Sequence, residues 1–267
     1  MSGHFLTTAR QSPRYLRRTG LSSPLLLFST TFFIVVLLLL SGCASRPPQT
    51  PPPSPSPVQQ PPQTTSEGEI SAPDFPQLIA AVKQQHGPVA AARVGYWANI
   101  IENGKHQADL EKLQHTNRFF NDAQFLSDEE IWQRADYWAT PVEFLIKDAG
   151  DCEDFSIAKY LTLDFMGVDI DKLRVTYVKA ESLNQPHMVL AYYANPGDTP
   201  LILDNITPLI LPADQRDDLT PVYSFNGRTL WLARSRNEQI KSGNSQQLKL
   251  WRDLKEKIVW EFGTSNK

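Results

Sequence analysis

Cysteine is scarce in this chain: Cys43 and Cys152 are the only two among 267 residues. A set of stapling disulfides is therefore excluded, and the fold must be held by its core. Excess positive charge is missing as well. Lys and Arg number 26 against 29 Asp and Glu, a formal charge of −3, so nothing points to a nucleic acid partner. Positions 1–42 hold no acidic residue and positions 46–72 no aromatic one. Each gap marks a segment that does not belong to a globular core.

In the first segment, Arg10, Arg14, Arg17 and Arg18 precede an apolar run from Pro24 to Leu40, followed by Leu40-Ser41-Gly42-Cys43-Ala44. A basic region, an apolar region and a small-residue cleavage site in that order make an export signal over residues 1–42. Its end resembles the lipobox of bacterial lipoproteins, with Cys43 as the lipidated first residue of the mature protein. An uncleaved membrane anchor is the alternative, since the run just reaches the lower limit of spanning length. Either way the rest of the chain lies outside the cytoplasm, as a membrane-anchored periplasmic protein. Ala44 gives no inner-membrane retention signal of the aspartate type, which favours the outer membrane.

Residues 43–72 form a tether: nine of the 21 prolines fall there, and such a segment stays extended instead of packing. The head, 73–267, is long enough for one sizeable core. Without the signal, residues 43–267 carry 22 basic against 29 acidic residues, so the mature protein is mildly acidic.

The first half of the head reads helical. Phe75, Leu78, Ile79 and Val82 follow the capping residue Asp74, and Gly87-Pro88 stops that helix. Further helical runs are expected over 89–103, 105–120 and 128–138, the last closed by Thr140-Pro141. Another is predicted to start at Cys152, with Asp151 as N-cap, Phe155, Ala158, Leu161 and Phe165 on its apolar side, and Gly167 just past its end. The second half changes period. Strands are expected over 174–180, 187–193, 200–206, 221–225 and 229–233, the last two joined at Asn226-Gly227. The connections are too short for crossover helices, so the sheet is antiparallel and the class is α+β. A last amphipathic helix presents Leu248, Trp251, Leu254 and Ile258 and docks back on the core.

Cys152 has no disulfide partner and sits at a helix start, where unpaired backbone N–H groups favour a thiolate. Of five histidines, His187 alone heads a strand. A four-residue loop at 194–197 sets His187 opposite Asp204, with Cβ atoms about 5 Å apart, close enough for a carboxylate to hold the imidazole. Cys152, His187 and Asp204 then read as nucleophile, base and orienting acid. The plain alternatives are an inert buried thiol, a structural histidine and a strand-end turn.

Asp136-Tyr137-Trp138-Ala139-Thr140-Pro141, Gly150-Asp151-Cys152-Glu153-Asp154, Tyr177-Val178-Lys179-Ala180, His187-Met188-Val189-Leu190, Leu203-Asp204-Asn205 and Pro221-Val222-Tyr223-Ser224-Phe225-Asn226 together resemble the bacterial transglutaminase-like cysteine proteinases. The likeness runs from about Pro76 to Leu232. It implies a papain-like or transglutaminase-like fold and a cysteine peptidase with Cys152, His187 and Asp204 as its triad. It also implies calcium (Ca2+), bound by Asp151 and Glu153, a very large surface adhesin as substrate, and an inner-membrane cyclic-di-GMP receptor as sequestering partner, in the control of biofilm attachment. Ser156 stands where a small apolar residue is more familiar in the family, and the lipobox goes beyond its simple export signal. Carboxylates beside the thiol oppose its ionisation, and a hard divalent cation would reverse that field. They also suit the first turn of a helix without any metal. Competing readings on the same fold are a transglutaminase or deamidase, a cell-wall amidase, and a non-catalytic binding lipoprotein.

Overall fold

The structure, a computed structural model, describes residues 70–264 apart from 182, 236 and 237. The export signal, Cys43 and the tether up to residue 69 lie outside the described residues. Among those described, no helix is long and apolar enough to cross a membrane.

Asp74 opens the first helix, α1 (Phe75–Gly104), by accepting the Gln77 N–H. As expected, the helical path is interrupted at Gly87, where φ is 86°, before Pro88. Next come α2 (Asp109–Asn121), a two-residue strand β1 (Gln124–Phe125), α3 (Asp128–Trp132), α4 (Pro141–Lys147), β2 (Ala149–Gly150) and α5 (Cys152–Phe165). β1 and β2 pair in parallel. Nearly every residue of α5 from Asp154 onward is buried, because α1, α2 and α4 surround one side and the sheet covers the other. The Gly167 N–H bonds to the Asp164 carbonyl and the Val168 N–H to that of Leu163. Gly167 supplies the left-handed φ of 80° that this terminus requires.

The main sheet contains β3 (Leu173–Ala180), β4 (Gln185–Tyr192), β5 (Leu201–Leu203), β6 (Leu211–Pro212), β7 (Leu219–Phe225), β8 (Thr229–Ser235) and β9 (Glu238–Asn244). Its order is β6-β5-β4-β3-β7-β8-β9, with every pair antiparallel. Leu173, Val175, Met188, Leu190, Leu203 and Phe225 join the helices in one large core, while Val178, Ala180, Val189, Ala191, Ile202 and Leu219 form a smaller cluster on the opposite face. In the Asn226-Gly227 hairpin, the Asn226 side-chain oxygen accepts both following N–H groups, of Arg228 and Thr229. The closing helix, α6 (Lys249–Thr264), buries Trp251, Leu254, Ile258 and Phe262. Trp251 lies edge-on to Tyr160 of α5 and tilted against Phe225 of the sheet.

Three expectations need correction. The helix at 128 ends at Trp132 instead of running to Trp138. Thr140-Pro141 opens α4 instead of closing the previous helix: the Thr140 hydroxyl accepts the Glu143 N–H, and the Glu143 carboxylate accepts the Thr140 N–H. The β4–β5 register is shifted by two, with Leu190 opposite Leu203 and Tyr192 opposite Leu201. The connecting loop is longer than four residues because the Tyr193 N–H bonds to the Lys172 carbonyl instead, and Asn195 and Asp198 close a turn of their own.

Candidate active site

Gly150 fixes the approach to Cys152. A Cβ there would stand 2.6 Å from the Phe144 ring and 2.7 Å from the Asp154 Cβ, so only glycine brings the chain so close to α4 and α5. Asp151 occupies the N-cap position, as expected, but its side chain makes no capping bond. Cys152 is the first residue of α5, and its carbonyl accepts the Ser156 hydroxyl at 2.9 Å. The Ser156 departure thus serves the first turn.

The half-buried Cys152 thiol donates to Glu153 Oε2 at 3.1 Å. Burial, the Glu153 and Asp151 charges and that hydrogen bond all push the thiol up, opposed by the backbone N–H of Met188. That N–H belongs to the residue following His187, so the start of α5 meets β4 next to the histidine that the sequence singled out.

His187 Nε2 lies 2.8 Å from Asp204 Oδ1, and both residues are buried. A carboxylate only accepts, so the proton of the neutral ring is on Nε2 and Nδ1 is its basic nitrogen. Asp204 Oδ1 also accepts the Ile206 N–H at 3.0 Å, Oδ2 accepts Arg216 Nη2 at 2.8 Å, and the Asp204 carbonyl accepts Asn121 Nδ2 at 2.8 Å. Burial acts to raise this carboxyl, but the bonds from His187, Ile206 and Arg216 outweigh it and hold Asp204 well below the usual carboxylate range.

A crowd of acids adjoins the thiol. Oxygen atoms of Asp128, Asp151 and Glu153 all lie within 4.8 Å of one another. Burial and Glu153 raise Asp128 to about 6, and burial, Glu153 and Asp154 raise Asp151 to about 10. Asp128 Oδ1, Asp151 Oδ1 and Asp154 Oδ2 are buried without a hydrogen-bond partner. Oxygens this close and this poorly satisfied fit a hard cation, whose ligand oxygens stand about 2.3–2.6 Å from the ion. The segment around the acids is braced. Tyr137 N–H donates to Asp128, and Ala139 N–H donates to Asp154 at 2.7 Å. From α6, Lys257 Nζ donates to the Trp138 carbonyl at 2.8 Å and to Glu143 at 2.7 Å.

The sequence reading picked out Asp151 and Glu153 but missed Asp128. In Ser127-Asp128-Glu129-Glu130 the local signal is a helix start, and Ser127 and Glu130 do form a capping box; nothing local shows that Asp128 turns back towards residue 151.

A helix-terminal thiol packed on an antiparallel sheet, beside a buried pair of a strand His and an Asp just past the neighbouring strand, defines the transglutaminase-like cysteine proteinase fold. Residues 98–222 match the bacterial transglutaminase-like cysteine proteinase family. Among solved structures, Legionella pneumophila LapG treated with EGTA is 39% identical, covering 70% of this chain and 100% of its own, with a TM-score of 0.63. Its calcium-bound form is 40% identical over 67% of this chain and 97% of its own, with a TM-score of 0.60. No curated protein matches. The chain belongs to the bacterial transglutaminase-like cysteine proteinases and is a cysteine peptidase.

Proposed function

We propose that the protein is a calcium-dependent periplasmic endopeptidase in which Cys152 is the nucleophile, His187 the general base and acid, and Asp204 the orienting residue. The observation that carries the proposal is the buried 2.8 Å bond between His187 Nε2 and Asp204 Oδ1, on the strand whose Met188 N–H reaches the Cys152 thiol. Asp204 holds the ring in the tautomer whose Nδ1 takes the thiol proton. The thiolate adds to the scissile carbonyl, and the imidazolium returns the proton to the departing amine. Water then cleaves the acyl-enzyme with His187 again as base. The Cys152 backbone N–H, which the first turn leaves without a helical acceptor, is the natural first donor to the oxyanion.

Asp128, Asp151 and Glu153 would hold the cation. Calcium bound there supplies the positive charge that offsets the carboxylate repulsion on the thiol. The existence of both calcium-bound and EGTA-treated forms of the Legionella LapG relative supports this reading.

The substrate we propose is the N-terminal region of a large surface adhesin, whose release controls biofilm attachment, with an inner-membrane cyclic-di-GMP receptor as the sequestering partner. The proposed anchor is a lipid on Cys43, favouring the outer membrane. The test is incubation with the N-terminal region of an adhesin from the same cell. Wild type with calcium is expected to cut it, and Cys152→Ala or wild type with chelator to leave it whole. Cutting by Cys152→Ala, or full activity in chelator, overturns the proposal.

A further inference from the structure

A carboxylate that orients an imidazole has two oxygens, and bonding one to the ring leaves the group free to rotate unless the other is held. Here the second oxygen is taken by Arg216 Nη2 at 2.8 Å, and the same guanidinium bonds Asp218 through Nε at 2.9 Å and Nη2 at 2.8 Å. The Arg216 side chain is 5% exposed and that of Asp204 fully buried, while Asp218 is 37% exposed. Arg216 follows a short helical turn, its N–H bonded to the Ala213 carbonyl, so backbone and side chain are both fixed.

Resting on the Cys152–His187–Asp204 reading above, we propose that Arg216 is a positioning residue of the peptidase. Its guanidinium, braced by Asp218, locks the Asp204 carboxylate against His187 and sets how much negative charge the imidazole feels. His187, Asp204, Arg216 and Asp218 form a chain that alternates in sign once the imidazole is protonated. A lysine in place of Arg216 would keep the charge but lose the planar fork that spans two carboxylates. From α5, the Lys159 charge also acts on Asp204, and the Cys152 thiol adjoins the strand that bears His187.

The role predicts shifts of opposite sign that mere structural support would not produce. Removing the Arg216 charge leaves Asp204 less compensated and favours the imidazolium. Removing the Asp218 charge leaves Arg216 pulling harder on Asp204 and disfavours it. The experiment is NMR titration of the His187 ring in the full chain with calcium, in a Cys152→Ala background that removes the thiol. Arg216→Gln is expected to raise the imidazole midpoint by about one unit and Asp218→Asn to lower it by about half a unit. Arg216→Lys should leave the midpoint in place. With Cys152 intact, it should lower kcat on the adhesin fragment by about tenfold while KM stays within about twofold.

Unmoved midpoints in Arg216→Gln and Asp218→Asn, or wild-type kcat in Arg216→Lys, overturn the inference. If both Arg216 variants fail to fold, the Asp218→Asn midpoint decides alone, since that residue is partly exposed and leaves the arginine in place. Undiminished cleavage by His187→Ala would instead overturn the triad itself.

Discussion

His187 and Asp204 meet at 2.8 Å although they do not face each other across the sheet. β5 ends at Leu203, so Asp204 has already left the ladder, and Asn121, the Ile206 N–H and Arg216 hold it in place. The contact depends on these bonds and not on strand register. Asp204→Asn should therefore act twice. Its amide cannot serve both His187 and Arg216 as acceptor. Cleavage should fall at least about 100-fold in kcat, and thermal unfolding should show a loss of about 3 kcal/mol from the buried guanidinium left with a poorer partner.

Without metal, the acids beside Cys152 should make the protein respond to pH in the sense opposite to ordinary acid denaturation. Burial and Glu153 raise Asp128 to about 6, and burial with its acidic neighbours raises Asp151 to about 10. Above an ordinary carboxylate pKa near 4 the unfolded chain has lost protons that the folded chain still holds, so stability falls as pH rises. Melting in chelator should show a higher Tm at pH 5 than at pH 8. Added calcium should remove most of that difference, and an unchanged difference would count against the cation site.

Asp128→Asn tests the third proposed ligand directly. It removes one charge from the acidic group, so calcium affinity by calorimetric titration should fall at least about tenfold, while the metal-free Tm at neutral pH rises. An affinity equal to wild type would exclude Asp128 from the site.

Lys159 lies in the middle of α5 and is 1% exposed, and burial lowers it to about 7. Between about pH 7 and the ordinary lysine value near 10.4, the unfolded chain holds a proton that the folded chain lacks, so this residue makes stability rise with pH. Lys159→Met should add stability on the order of 3 kcal/mol at pH 6 and flatten that rise. Denaturant melts at pH 6 and pH 9 distinguish this from a simple packing gain, which would be equal at both.

Gly150→Ala should destabilise the protein by about 2 kcal/mol, because the new methyl would press on the Phe144 ring and the Asp154 Cβ. The same strain displaces Cys152, so kcat should fall by more than unfolding alone explains. A well-folded, fully active Gly150→Ala protein would show that the approach is less tight than the geometry indicates.

What the sequence made legible was local. The start of α5 at Cys152, its end at Gly167 and the Asn226-Gly227 hairpin each depend on residues within a few positions of one another. The family likeness placed Cys152, His187 and Asp204 on one fold. What escaped was set by distant partners. β9 is a polar edge strand, Glu238–Asn244, that exists through its pairing with β8 and carries no apolar alternation. Thr140-Pro141 holds both a stop and a start signal, and Glu143 three residues later identifies the start. Asp128 and Arg216 join the site only once loops have folded back, and no spacing rule reports that.

Lys257 clips α6 to Trp138 and Glu143, within the segment that carries the bonds to Asp128 and Asp154. The acidic cradle is therefore braced by a residue more than a hundred positions later in the chain than Cys152. A nascent chain that already displays its thiol still lacks this brace, and so does a product clipped ahead of residue 257. The thiol and the acids beside it thus come from the first half of the head, and the clip that braces the segment bonded to them comes from its last helix.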